Sequence, residues 1–250
     1  MAINQYFRSV RMKGLNGQNF VYKYIQLEYL LQLIRNRKLR IEKVSEWKDP
    51  YENFFLKSNF YTYVSFYERS VQVGTDEIRN HTYGQSWTLI EESDAMWRIY
   101  SQDKNAVRLK IKIDNLFNIV YTEDSCMATT SIGEVKYKTD EEITSWIGSI
   151  PKESLNIGKI AEESLFIKRK PFEHEKEVRI IISKSTENAA ENFLEFRIPN
   201  LDVFEEFVLD PRLNNEEVMK IRQRLVTAGV NQDKIKESKL YTFTPVDLNI

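Results

Sequence analysis

The sequence predicts an α+β fold, and three observations predict it. Short segments alternate apolar and polar residues at period two, most clearly Val107, Leu109 and Ile111 against Arg108, Lys110 and Lys112. Other segments repeat apolar residues at helical spacing, such as Leu27, Leu30, Leu31 and Ile34. The two kinds do not alternate strictly along the chain, which argues against a doubly wound sheet. With 250 residues, 42% of them hydrophobic and 14 Phe among them, the chain can bury a sizeable core. No shift of composition marks a boundary, so the expectation is one domain over residues 1–250 with a mixed sheet packed by helices.

Taken in order, Val21 to Tyr24 reads as a short strand, the Leu27 to Ile34 repeat as a helix, and Lys38 to Val44 as a returning strand. Asp49-Pro50-Tyr51-Glu52 has the parts of a helix start: a cap, a first-turn proline and an acidic residue placed for a capping box. The Phe- and Tyr-rich stretch from Phe54 to Tyr67 is then expected to be helical, and Gln72 to His81 a loop. Tyr83 to Leu89 reads as a strand, and Ser93 caps a short helix carrying Met96, Trp97 and Tyr100. Val107 to Ile113 and Gly133 to Tyr137 are strands, with short helices at Asp140 to Trp146 and Ile157 to Ser164. Leu165 to Ile167 reads as extended. A charged strand runs from Glu175 to Ile182, followed by strands at Phe193 to Ile198 and Phe204 to Leu209. Asn214 and Glu217 box the start of a helix that uses Val218, Ile221, Leu225 and Val226 and stops at Gly229. Leu240 to Phe243 is expected to close the sheet.

Composition excludes several classes. Lys plus Arg (36) nearly balances Asp plus Glu (37), so no net basic field demands a nucleic acid partner. Cys126 is the one cysteine, which rules out an intrachain disulfide and fits a reducing cytoplasm. His81 and His174 are the two histidines, few for a zinc site or a Ser-His-Asp hydrolase. From Met1 to Gly14 there is no apolar run of signal-peptide length, and no stretch reaches the roughly 18 apolar residues of a membrane span. Glycine-rich phosphate loops and the G-x-S-x-G elbow are missing, which disfavours kinases, P-loop enzymes, dinucleotide dehydrogenases and α/β-hydrolases.

The strongest chemical signal is Glu173, Glu175, Glu177 and Arg179 at alternate positions, running into Ile180-Ile181-Ile182. In an extended chain they share one face, roughly 6–7 Å apart. Carboxylates that close, beside a guanidinium, can bind a ribose hydroxyl, polarise a nucleophile or hold a metal. They can equally be the solvated charges of an edge strand. Tyr22-Lys23-Tyr24 offers two aromatics on one strand face and a lysine on the other. Met96, Trp97 and Tyr100, with Trp87 before them, suit stacking on a flat ring as well as core packing. Lys168, Arg169 and Lys170 form a local basic run.

Taken together, Tyr22-Lys23-Tyr24, Asp49-Pro50-Tyr51-Glu52, Met96 to Tyr100 and Phe172 to Arg179 resemble a bacterial family, domain of unknown function two-nine-seven-one. The departure is at Gly84-Gln85-Ser86, where such proteins often carry Cys or Phe before the serine. More distantly, the opening strand, the helix behind it and the late E-x-E strand resemble ADP-ribosyltransferases. That resemblance implies a split sheet holding nicotinamide adenine dinucleotide (NAD) as substrate. It implies that Tyr22 or Lys23 contacts the nucleotide ribose and that Ser86 or Tyr100 supports the nicotinamide. Glu177 would contact the nicotinamide ribose, and Glu175 would help choose the acceptor. Tyr24, Trp97 and Arg179 complete the expected nucleotide-contacting set. The first strand lacks the expected Arg or His, and Ser86-Trp87-Thr88 is an imperfect S-T-S.

Three functions stand at this stage. The first is an NAD-using transferase or glycohydrolase with a protein or nucleic-acid acceptor, of the toxin or anti-phage effector kind. The second is a non-catalytic module that binds a nucleotide or peptide. The third is a metal-dependent nuclease using Glu173, Glu175 and Glu177 with support from the basic run.

Overall fold

In the computed structural model the described residues are 11–47, 49, 51–58, 60–64, 69–121, 128–150, 157–184 and 191–245. Strand β1 (Phe20–Gln26) leads directly into helix α1 (Leu27–Asn36), which buries Leu27, Leu30, Leu31, Leu33 and Ile34. The helix ends at Arg37 in the left-handed region (φ 52°), and the chain returns as β2 (Lys38–Lys43). This strand-helix-strand opening is as the sequence predicts.

The next segment differs from expectation. Asp49 does not cap a helix: its Oδ1 accepts the Tyr51 amide at 2.9 Å in a turn, and Glu52 and Asn53 remain outside the helix. Pro50 lies outside the described residues. Helix α2 spans only Phe54–Lys57, and the chain then forms a hairpin of β3 (Phe60–Val64) and β4 (Arg69–Val73). The physical reason is legible: Phe60-Tyr61-Thr62-Tyr63-Val64 is all aromatic or β-branched, which favours a pleated strand. Helix α3 (Asp76–Asn80) replaces part of the expected loop.

Strand β5 (Thr82–Thr88) is the hub. Helix α4 (Asp94–Tyr100) follows, capped by Ser93, whose hydroxyl accepts the Met96 amide. Then come β6 (Ala106–Lys112), α5 (Ile113–Val120), β7 (Ala128–Glu134), β8 (Lys136–Lys138), α6 (Asp140–Gly148) and α7 (Ile157–Ser164). Leu165 and Phe166 turn rather than extend into β9 (Ile167–Arg169). A 3-10 turn over Lys170–Glu175 precedes β10 (Glu177–Lys184). The chain ends with β11 (Phe193–Arg197), β12 (Phe204–Leu209), helix α8 (Asn215–Thr227) and β13 (Ile235–Glu237). The Asn214/Glu217 capping box on α8 is present in both directions, whereas Leu240 to Phe243 is not a strand; β13 closes the sheet instead.

Among the described residues nine strands form one sheet in the order β11-β2-β5-β1-β6-β12-β13, with β10 on β5 and β7 on β10. All pairs in it are antiparallel except β12 with β13, so the sheet is mixed and the α+β class holds. The register at β5 positions the site. Along one edge β5 pairs with β10 from Thr82 to Thr88. Its other edge is shared: β2 takes Tyr83 and Gly84, while β1 touches it only at Thr88. Between them, at Gln85, Ser86 and Trp87, no strand among the described residues pairs on that edge, and the sheet opens. No helix among the described residues is long and apolar enough to cross a membrane.

Candidate active site

The opening in the sheet is bridged by one side chain. Lys23, from the middle of β1, reaches across and donates to the Ser86 carbonyl at 2.9 Å, satisfying an oxygen that no strand partner serves. Two cavities meet there, and Lys23 and Ser86 belong to both. One, of about 160 Å³, is walled by Tyr22, Tyr24, Trp87, Met96 and Tyr100, with Glu175 and Glu177 at its base. The other is a cleft of about 630 Å³ between α1, β2 and Trp47. Burial pushes the Lys23 amine down to about 8, partly opposed by the Glu177 carboxylate.

The base of the small cavity is a buried charge cluster. Glu177 Oε2 accepts from Ser86 Oγ at 2.7 Å and from Arg179 Nε at 2.8 Å. Its Oε1 accepts from Lys168 Nζ at 2.5 Å and from Arg179 Nη2 at 3.3 Å. Lys168 also donates to Glu175 at 2.7 Å and lies 3.1 Å from Glu52, which in turn accepts from Arg179 at 2.8 Å. Arg179 Nη1 donates to the Leu165 carbonyl at 2.8 Å. The backbone is pinned as well: the Glu177 amide donates to Tyr137 Oη at 2.8 Å, and Thr88 Oγ1 donates to the Glu175 carbonyl at 2.6 Å.

These surroundings separate the two carboxylates. Burial alone would raise Glu177, but the Arg179 guanidinium, the hydrogen bonds and Lys168 overcome it and hold Glu177 well below the usual carboxylate range. Glu175 moves the other way, raised by burial and by its neighbour Glu177, with Lys168 opposing. Tyr100 is raised by burial and then by Glu175. With four donors on its two oxygens, Glu177 has no lone pair ready for nucleophilic attack. What it offers the cavity is a fixed negative charge.

The expected site residues sort into three groups. Tyr22, Lys23, Tyr24, Ser86, Tyr100, Glu175 and Glu177 are brought to one cavity. Trp97 and Arg179 are not on the surface of either cavity: both are fully enclosed. Trp97 packs edge-on beneath Tyr24 with centroids 4.7 Å apart and donates to Glu92, so it supports the wall without forming it. Arg179 donates from all three of its nitrogens and orients Glu177. Glu173 leaves the ladder altogether. The 3-10 turn and the left-handed Lys176 (φ 42°) break the extended run, and Glu173 pairs instead with Lys170 and Lys176. The edge-strand alternative also falls, because β10 is paired on both sides.

Lys168 and Glu52 are the residues that sequence reasoning assigned elsewhere. Lys168 stood in a basic run, yet it is buried on β9 beside Tyr137 of β8, while Arg169 stacks on Tyr51 at 4.0 Å and Lys170 pairs with Glu173. Glu52 stood in a capping box, yet it faces Arg179 and Lys168. Neither placement has a local signal: Glu52 lies 127 residues from Arg179, and Lys168 reaches Glu175 and Glu177 only because a turn folds β10 back beside β9.

Comparison with known proteins adds a family and a set of distant shapes. The family described as "Protein of unknown function (DUF2971)" matches residues 96–180. The chain is similar to that family over this span. The match takes in Met96 to Tyr100 and Phe172 to Arg179, whereas Tyr22 to Tyr24 and Asp49 to Glu52 lie before it. Among curated proteins no match is found. Among solved structures, DarT from Thermus sp. 2.9 in complex with NAD+ aligns over 90% of this chain and 97% of its own, at 9% identity and a TM-score of 0.39. The same protein in complex with ADP-ribosylated ssDNA aligns over 90% and 96%, at 11% identity and 0.39. At these scores the likeness says nothing of this chain's own residues.

Proposed function

We propose that the chain is an NAD-using enzyme of the ADP-ribosyltransferase or glycohydrolase type, working as one α+β domain over residues 1–250. The observation that carries this reading is Glu177, an ionised carboxylate fixed at the base of a small aromatic cavity. Cleavage of the nicotinamide–ribose bond sends the electron pair to the ring nitrogen and leaves positive charge on C1′ and the ring oxygen of the ribose. A preorganised anion beside that carbon stabilises the transition state more than the ground state.

The other residues follow from their positions. The 160 Å³ cavity has room for a single ring and not for a dinucleotide, so it takes the nicotinamide, against Tyr24, Trp87 and Tyr100. Tyr22 and Ser86 flank the ribose. Lys23, at the junction of the two cavities, faces the pyrophosphate that crosses it. Glu175, with its raised proton affinity, accepts a proton from water or from the acceptor as it attacks C1′. Arg179 and Lys168 position Glu177. The acceptor is water, a protein or a nucleic acid, and the setting is that of a bacterial cytoplasmic toxin or anti-phage effector.

The nuclease alternative loses support. Among the described residues no three carboxylate, His or Cys side chains gather as a metal would need, and the Glu177 oxygens are already taken by cations. Incubation with NAD, reading free nicotinamide by chromatography, tests the proposal. Release that survives a chelator is expected. A protein that binds NAD without cleaving it is a binding module, and one that does neither overturns the proposal.

A further inference from the structure

Glu52 belongs to the buried charge cluster but not to the wall of the small cavity. It comes from the segment between β2 and α2, and its side chain, 15% exposed, lines the larger cleft instead. Of Glu52, Lys168, Glu175, Glu177 and Arg179, it alone does so. Its segment is tied down on several sides. Asn53 is fully buried and donates from Nδ2 to the Val44 carbonyl at 2.7 Å, and Asp49 lies 3.7 Å from Arg169. Trp47, from the same segment, sets its ring centroid 4.8 Å from the guanidinium carbon of Arg179.

The charge count of the cluster turns on this residue. Lys168 and Arg179 both donate to Glu177, and Lys168 donates to Glu175 as well. Two cations against those two carboxylates would balance, and a balanced cluster attracts a developing ribose cation only weakly. Glu52 is a third carboxylate. One of its oxygens, Oε1, takes Arg179 Nη2 at 2.8 Å and Lys168 Nζ at 3.1 Å. The same two nitrogens lie 3.3 and 2.5 Å from Glu177 Oε1. Each cation is thus divided between Glu177 and Glu52, and one negative charge is left over. The other titratable groups around the pair are Tyr100 from α4, Tyr137 from β8 and Lys23 from β1.

We propose that Glu52 is a positioning residue: it draws Lys168 and Arg179 partly away from Glu177 and so gives the base of the small cavity its net negative charge. The catalytic consequence rests on the reading above, whereas the charge balance stands on the geometry alone. Neutralising Glu52 would tighten the hold of Lys168 on Glu175, so the raised proton affinity of Glu175 should fall.

Carbon-13 NMR titration of the glutamate-labelled full chain, beside nicotinamide release from NAD over a pH series, tests it. In Glu52→Gln the upper midpoint of the Glu175/Glu177 pair should fall by about one pH unit. The kcat should drop about tenfold, KM should stay within about threefold, and the acid limb of the kcat profile should move down with the midpoint. Glu52→Asp keeps the charge but withdraws it, so it should fall between wild type and Glu52→Gln in both readouts, and it serves as the test if Glu52→Gln does not fold. A lower kcat with the midpoint unmoved, or a rise in KM that accounts for the loss, would make Glu52 a structural support and overturn the inference while the enzyme reading stands. A midpoint that moves in a protein that never releases nicotinamide keeps the charge balance and removes the enzyme reading. If neither midpoint nor turnover changes in Glu52→Gln, the inference fails outright.

Discussion

The two cavities share Lys23 and Ser86, yet they handle charge in opposite ways. In the larger cleft the ion pairs are local and wet: in Lys38–Glu195 the side chains keep 50% and 33% of their surface exposed, and in Arg40–Glu42 50% and 47%. In the small cavity Lys168, Glu177 and Arg179 keep 6%, 4% and 0%. Exposed pairs are worth little because water competes for them, whereas a buried charge must be matched almost completely or it destabilises the fold. The cleft therefore has charges that are close to neutral in energy, and the cavity has charges that the whole structure is built to hold. A cluster that costs this much to bury and ends on an open cavity wall is better explained by chemistry than by stability.

The sharpest way to break this contrast is to unbalance the buried side. Arg179→Met leaves Glu177 and Glu52 short of a cation, and removing one partner of a buried pair typically costs about 3–5 kcal/mol. Urea denaturation should show a loss of that order. A loss below about 1 kcal/mol would mean that the cluster behaves like the surface pairs.

Lys23 stands between the two regimes, and pH separates its roles. Its folded value of about 8 lies below the ordinary lysine value of 10.5. The fold therefore disfavours the charged amine: the penalty is fully present below about 8 and is relieved as pH rises from 8 to 10.5. The proposed contact with the pyrophosphate runs the other way, since it would need the cation. ADP-ribose affinity should fall by up to about tenfold per pH unit above 8 and should become flat in Lys23→Met. An affinity that does not change between pH 7 and 9.5 would remove Lys23 from the nucleotide path.

The smallest effect belongs to the cleft. Lys38→Ala and Glu195→Ala should each shift stability by about 1 kcal/mol or less, and the shift should shrink in high salt. A larger, salt-insensitive loss would mean that the two cavities do not differ as their exposures indicate.

How much of this was legible in the sequence follows the range of the interactions. The opening strand-helix-strand unit, the Ser93 cap and the Asn214/Glu217 capping box depend on residues a few positions apart, and each could be read directly. The convergence of Glu175, Glu177 and Arg179 was visible as spacing, but the reason they converge was not. Glu177 is matched by Ser86 and Lys168, and Arg179 by Glu52 and the Leu165 carbonyl, across gaps that no periodicity records. Glu173 fits the same two-residue spacing and still falls outside, because the 3-10 turn over Lys170–Glu175 replaces the extended run that the spacing assumed, and within that turn it is Glu175 that meets Lys168. Asp49 to Glu52 was misread for the opposite reason: its local signals for a cap were good, and a distant pair of cations took Glu52 instead.

The most direct test of the central claim is Glu177→Gln, which keeps the shape of the side chain and removes its charge. Turnover of NAD, read as nicotinamide released by folded protein, should fall by about 10²-fold or more, because the developing ribose cation would then lose its fixed anion and face Arg179 and Lys168 with one carboxylate fewer to balance them. NAD affinity should change by no more than a few-fold, since most binding contacts lie elsewhere. Turnover within about threefold of wild type, in a variant that still binds NAD, would contradict the account.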